Sequence, residues 1–333
     1  MDETRTTLTK DLLILGAGTA GTVIANKLRH RLHRAEWRIT VVDRDDDHHY
    51  QPGYLFLPFG TYSPRQITRS RHTTLPDGVD FVIGDVDRVQ RLASVSKPMA
   101  AWAMLVAVEE GVVELDQPVG QPGCTLRHLL SHAGGYPFEG DEAIARPEAT
   151  RMYSNTGFGL AAQAIEQATD MTFADYLHDA VFVPLGMGSS VLRGSAAHGV
   201  RSNLADTCRF VAEVMRPTLI HSTTAADAEH IHYPTLAGIV PGVGRYEQCP
   251  WGLGFEVRGT KKPHWTGTTN SPRTFGHFGG SGTMFWIDPD RDLALVALAD
   301  RNFDEWANTA LDAWPALSDA VIAEHADRTG VTA

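Results

Sequence analysis

Cysteine is scarce in this chain: Cys124, Cys208 and Cys249 are the only three in 333 residues, far apart and without C-x-x-C spacing. An odd, scattered set excludes a disulfide framework and a zinc site, and all three read as reduced and mostly buried. Long apolar runs are missing too, since no stretch approaches the roughly 18 residues of a membrane helix. The polar opening MDETRTTLTK, followed by a glycine-broken apolar run, lacks the core of a secretory signal. A cytoplasmic protein without a membrane span is expected. Basic charge is in deficit, with 29 lysines and arginines against 40 acids and a net charge of −11. Nucleic acid or anionic membrane would each want a basic face, so small molecules are the expected partners. Composition leaves the oligomeric state open.

The chain does have apolar content, 43% hydrophobic, which suffices for a large core, and its length suggests two domains. Near the start, DLLIL (11–15) has strand length, TVIANKLRHRL reads as a helix, and WRITVVD reads as a second strand ending on Asp43. Between the first strand and the helix, Gly16, Gly18 and Gly21 fit G-x-G-x-x-G. In that pattern the first glycine makes the tight turn, the second admits a pyrophosphate and the third lets helix and strand pack. Asp43 stands about 20 residues further on, where a ribose-binding carboxylate belongs. With DDDHHYQPGYLFLPFG behind it, the opening resembles flavoproteins of the sulfide:quinone oxidoreductase type over about 10–88. The resemblance implies FAD or an adenine nucleotide held by Gly16, Gly18, Gly21 and Asp43. It stops there, because the second nucleotide-binding unit and redox cysteines of that family have no counterpart after residue 90. His48 and His49 read as solvated loop residues, and no metal is implied.

After residue 90 the texture changes. Residues 95–110 are apolar nearly all round, as in a helix buried in a core, and Gly111 suits its end. Amphipathic helices are expected at 125–132, 157–169, 172–182 and 204–215, with Asn155 or Thr156, Thr172, and Ser202 or Asn203 as N-caps. Residues 216–250, rich in Pro, Gly, His and Thr, read as long loops around a site. Strands are expected at 251–258, 273–280, 282–289 and 292–300, and a last helix over about 304–326.

Chemistry concentrates at three places. Ser94 and Lys97 are spaced S-x-x-K, so on a helix they share a face and the amine reaches the hydroxyl. A serine hydroxyl is a poor nucleophile until a base takes its proton, and a buried lysine whose pKa is lowered can be that base. Ser94 as a helix N-cap is the plain alternative. Tyr153 and Asn155, in Y-S-N, can complete the relay and hold the lysine, or else pack in the core and cap a helix. His277, Gly279 and Gly280, in GHFGGSGT, offer a strand edge for substrate, with the N–H groups of Gly280 and Ser94 as an oxyanion hole.

In this order, S-x-x-K, Y-S-N and H-x-G resemble the serine β-lactamase-like hydrolases, in the branch with class C β-lactamases, D-alanyl-D-alanine peptidases and S-x-x-K esterases. The flanks LASVSKP, GCTLRHLLSHAGG, FVPLGM and WGLGFE extend the resemblance over about 91–325. It implies an acyl-enzyme on Ser94, proton transfer by Lys97 and Tyr153, and hydrolysis by water without a cofactor. It also implies that His277, where many relatives have lysine, helps orient the substrate's carboxyl or ester group.

The expected architecture is α/β. A truncated Rossmann-like βαβ segment (1–90) is joined to a β-lactamase/transpeptidase-like domain (91–333), an antiparallel sheet flanked by helices plus a helical subdomain. Relatives carry a leading helix and a β-hairpin before S-x-x-K, in the sheet that bears H-x-G, and those residues are absent. Either strands such as 79–86 pair onto that sheet in place of the hairpin, or its edge is left open. The leading expectation is a serine hydrolase of a small ester or amide, ahead of an FAD or adenine-nucleotide binder and of an inactive chimera.

Overall fold

Strand-length apolar runs on either side of a glycine turn and a helix set up the first of two units, Met1–Asp87 and Arg88–Ala333. The computed structural model describes residues 10–15, 17–49, 61–83, 89–299 and 301–329. Strand β1 (Lys10–Leu15), helix α1 (Thr19–Arg29) and strand β2 (Trp37–Asp43) form a parallel β-α-β unit, pairing Lys10 with Trp37 through Leu15 with Val42. A small hairpin of β3 (Asp47–His49) and β4 (Thr68–Ser70) follows, with the single turn of α2 (Pro64–Ile67) leading into β4. Strand β5 (Val79–Ile83) then adds to the other side of β2, parallel. Ile14, Ala17, Ala25, Ile39 and Val41 make a small core, against which Val79 and Phe81 of β5 pack.

Of the strand 79–86 considered for the later sheet, residues 79–83 pair with β2 inside the first unit, and Val79 and Phe81 pack on that unit's core.

In the second unit β6 (Gln90–Arg91) pairs with β8 (Val200–Ser202), which also pairs β7 (Val191–Leu192). Helix α3 (Ser96–Glu109) is buried from Ser96 to Ala107, as its apolar circumference predicts. Around it stand α4 (Leu126–Leu130), α5 (Asn155–Thr169), α6 (Phe173–Leu177) and α7 (Leu204–Met215). Trp102 anchors the packing, edge-on to Phe210 and Phe255 at 6.2 Å each, with its N–H donated to Glu213 Oε1 at 3.2 Å. The segment 216–250 is more ordered than its composition predicts: it holds α8 (Ser222–Glu229) and a ladder of β9 (Gly238–Val240) with β10 (Gly244–Tyr246). The helix STTAADAE escapes a periodicity reading because it buries only Ala225 and Ala228.

The main sheet is antiparallel in the order β11 (Glu256–Val257), β12 (Phe275–Gly279), β13 (Thr283–Asp288) and β14 (Leu293–Ala297). Every residue of β13 is buried, since both faces are covered. Phe285 and Ile287 point into the α3 core, while Met284 and Trp286 join Trp265, Phe303 and Trp314 beneath helix α9 (Ala307–Thr329). Among the described residues no strand pairs with the outer side of β14. Cys124 and Cys249 are buried, but Cys208 is exposed. Among the described residues no helix is long and apolar enough to cross a membrane.

Candidate active site

Strand β6 delivers the chain to a tight 3₁₀ turn, Ala93–Val95, immediately before α3. Leu92 N–H bonds to Val200 O at 2.9 Å, and Ala93 sits at φ 47°, a left-handed conformation that a non-glycine residue adopts only under constraint. Two serines then divide the work. Ser96 is fully buried; its hydroxyl donates to Ala93 O at 2.6 Å and accepts from Val200 N at 2.9 Å, latching the turn. Ser94 is half-buried, caps no helix, and lines a cavity of about 190 Å³.

Lys97, the second residue of α3, is buried with Nζ 3.4 Å from Ser94 Oγ. The same nitrogen lies 2.5 Å from Asn155 Oδ1, 3.0 Å from Ala197 O and 4.5 Å from the centre of the Tyr153 ring. Burial pushes the amine well below the ordinary lysine range, with Glu139 pulling weakly the other way. A neutral amine has two N–H bonds and a lone pair. In that form the Asn155 and Ala197 oxygens take the two N–H bonds, and the lone pair is what the amine can offer to the hydroxyl of Ser94.

Asn155 is free for this because its neighbour caps the helix. Ser154 Oγ, not Asn155 or Thr156, accepts from Gly157 N at 2.8 Å, while Asn155 Nδ2 donates to Glu139 Oε1 at 2.6 Å and so turns Oδ1 to the lysine. Thr172 and Asn203 cap their helices as expected. Burial raises the Tyr153 phenol far above its usual range, against a hydrogen bond with Ser94 that lowers it, so Tyr153 stands as a neutral phenol. Its ring rests on His132, at 4.6 Å, and near Trp251, at 5.7 Å, two residues the sequence motifs do not single out.

Strand β12 closes the opposite wall. An added Cβ at Gly279 would stand 2.3 Å from Leu92 O and 3.2 Å from Ser94 N, so only glycine lets the strand lie against the nucleophile turn. Gly279 O accepts from Gly282 N at 3.0 Å, which in a trans peptide sends the Gly280 N–H the opposite way. Gly280 and Ser94 line the same cavity. Two further hydroxyls tie the turn after β12 to the nucleophile strand: Ser281 Oγ donates to Arg91 O at 2.6 Å and Thr283 Oγ1 to Leu92 O at 2.8 Å.

His277 lines the same cavity as Ser94. It is buried, its Nδ1 lies 2.6 Å from Phe278 O, and Nε2 is buried without a partner. Burial, helped by Lys97, lowers its pKa to about 3. A neutral imidazole supplies no positive charge to a substrate carboxylate. Behind it lies Glu256, buried, with Lys261 Nζ at 2.5 Å, His264 Nε2 at 3.2 Å and the Trp265 N–H at 2.7 Å. Burial alone would raise the Glu256 pKa, but Lys261 and His264 outweigh it and hold the carboxylate ionised.

The model of the beta-lactamase family matches residues 84–317, most of the chain. The chain belongs to the beta-lactamase family. A beta-lactamase from Mycobacterium bovis, known from its crystal structure, is 50% identical with a TM-score of 0.70, over 73% of this chain and 89% of that one. Penicillin-binding protein 4* of Bacillus subtilis is 32% identical over 132 residues, 30% of this chain and 29% of that protein. The chain thus spans less than a third of that relative. The beta-lactamase of Escherichia coli is 21% identical, over 68% of this chain and 79% of its own length.

The glycine fingerprint of the first unit is only partly visible, because Gly16 lies outside the described residues. Gly18 precedes α1 with open space where a side chain would be, and Gly21 lies in α1. Asp43 does not present a free carboxylate to a ribose. Oδ2 accepts from Ala17 N at 2.6 Å, and Oδ1 accepts from Arg44 N at 2.8 Å and from the Arg71 guanidinium at 2.6 Å. Burial would raise its pKa, yet these partners lower it overall. The carboxylate implied for the ribose of an adenine nucleotide is therefore already engaged by Ala17, Arg44 and Arg71.

Proposed function

We propose that the chain hydrolyses a small ester or amide through an acyl-enzyme on Ser94. Lys97 takes the hydroxyl proton as Ser94 Oγ attacks the carbonyl carbon. The N–H groups of Ser94 and Gly280 receive the developing oxyanion. The proton passes by way of the Tyr153 phenol to the leaving group, and the acyl oxygen bond to Ser94 forms as the leaving-group bond breaks. Water then attacks the acyl-enzyme, giving its proton to the same pair, and releases the acid with Ser94 restored. Residues 91–333 carry every step, and no cofactor enters.

One observation carries this reading: a buried lysine nitrogen, its pKa lowered by that burial and its contacts made to the Asn155 and Ala197 oxygens, stands 3.4 Å from an accessible serine hydroxyl. Nucleotide binding by the first unit is the weaker reading, because Asp43 is engaged by Ala17 and Arg71. A fluorophosphonate probe tests the proposal. Labelling of the peptide containing Ser94, lost in Ser94→Ala, is the expected result, and a folded wild-type protein that takes no label would overturn it.

A further inference from the structure

The described residues lining the cavity beside Ser94 include the acidic Glu256 and Asp304 and no lysine or arginine. Glu139 adds a third carboxylate at Asn155. The nearest basic side chains are engaged elsewhere: the Lys97 amine with Asn155 and Ala197, and Lys261, itself buried, with Glu256. Apart from Tyr153 and His277, the other side chains lining the wall are apolar, among them Phe138, Val240, Trp251, Phe278 and Phe303.

A second cavity of about 620 Å³, within the range typical of small-molecule sites, shares Phe138, Tyr153 and Pro241 with the first and continues past Met152 and Ile239. Arg151 borders it, but its guanidinium donates to the carbonyls of Ser131, His232, Tyr233 and Cys249. Arg245, also on its wall, is exposed to solvent, where its charge is screened.

We infer that this site selects uncharged esters with an apolar acyl group and rejects esters that carry a carboxylate into these cavities. The inference rests on Ser94 being the nucleophile. A carboxylate entering beside Ser94 gives up its water, finds no lysine or arginine among the described residues of that wall, and meets Asp304, while Glu256 has already taken up Lys261. An apolar acyl chain loses nothing by the same transfer and gains contact with the aromatic walls.

Three p-nitrophenyl esters of equal chain length separate the possibilities: the hexanoate, the mono-adipate and the 6-(trimethylammonio)hexanoate. For the wild-type protein kcat/KM is expected to be on the order of 100-fold lower for the adipate than for the hexanoate, with the cationic ester also below the hexanoate. Adipate turnover within threefold of hexanoate, or a cationic ester turned over faster than the neutral one, overturns the inference and leaves the nucleophile intact. Absence of both turnover and fluorophosphonate labelling overturns the nucleophile and the inference together. Asp304→Asn, an exposed position, is expected to raise the adipate-to-hexanoate ratio about threefold, and His277→Lys about tenfold or more. A ratio unmoved in Asp304→Asn and in a folded His277→Lys would show that charge does not set the selection.

Discussion

Gly279→Ala probes how closely the substrate strand must approach the nucleophile. The added methyl would lie 2.3 Å from Leu92 O and 2.6 Å from Thr283 Oγ1, both in the tie that joins β13 to the nucleophile strand. A carbon and an oxygen rest no closer than about 3.2 Å without strain, so β12 must retreat by roughly 1 Å. Overpacking of this kind destabilises by about 1–3 kcal/mol, which a melt of the purified protein reads. The larger effect falls on rate. A 1 Å misplacement of the groups that hold the reacting carbonyl lowers kcat on the order of 100-fold. Release of p-nitrophenol from the hexanoate ester, measured below the melting temperature of the variant, gives that figure. A folded Gly279→Ala enzyme with kcat within threefold of wild type would refute the idea that β12 and Ser94 are held in contact for catalysis.

Burial lowers the Lys97 pKa in the folded chain below its unfolded value, so the unfolded chain binds the proton more tightly and this group makes stability rise with pH from its lowered folded pKa up to about 10.4. The kcat/KM profile should rise as the amine loses its proton well below pH 10, and Lys97→Ala should lower it on the order of 100- to 10,000-fold; a wild-type limb centred near 10 would contradict the buried base. Glu256→Gln removes one partner of a buried pair and leaves Lys261 uncompensated, for an expected loss of about 3–5 kcal/mol in urea unfolding, much of it recovered in Glu256→Gln/Lys261→Met. Gly159→Ala, inside α5 with open space at the added carbon, should stabilise by about 0.5–1 kcal/mol, and a loss would show that the helix is constrained there.

Local chemistry was readable where the chain keeps its partners on rigid elements. The three-residue spacing of Ser94 and Lys97 sets one face of a helix turn, and the all-apolar run behind them could only be a core helix. Asn155 reaches Lys97 across 58 residues, a juxtaposition that order along the chain suggests and only folding produces. The charge of His277 was not readable. A histidine in place of lysine leaves open whether the ring is cationic, and the burial that makes it neutral comes from Trp251, Tyr153 and the β12–β13 ladder, which are remote in sequence. The Glu256–Lys261–His264 cluster likewise depends on a loop folding back on β11. The destination of 79–83 was left open by the sequence because a short apolar strand carries no label of the sheet it joins, and its parallel register on β2 is a tertiary choice.

The central claim is a covalent acyl intermediate on Ser94. Rapid-quench mass spectrometry during turnover of p-nitrophenyl hexanoate tests it most directly. The account predicts a hexanoyl adduct that maps to Ser94, appears in a burst approaching one equivalent, decays when substrate is spent, and is absent from Ser94→Ala. Turnover with no adduct, or an adduct that survives in Ser94→Ala, would contradict it.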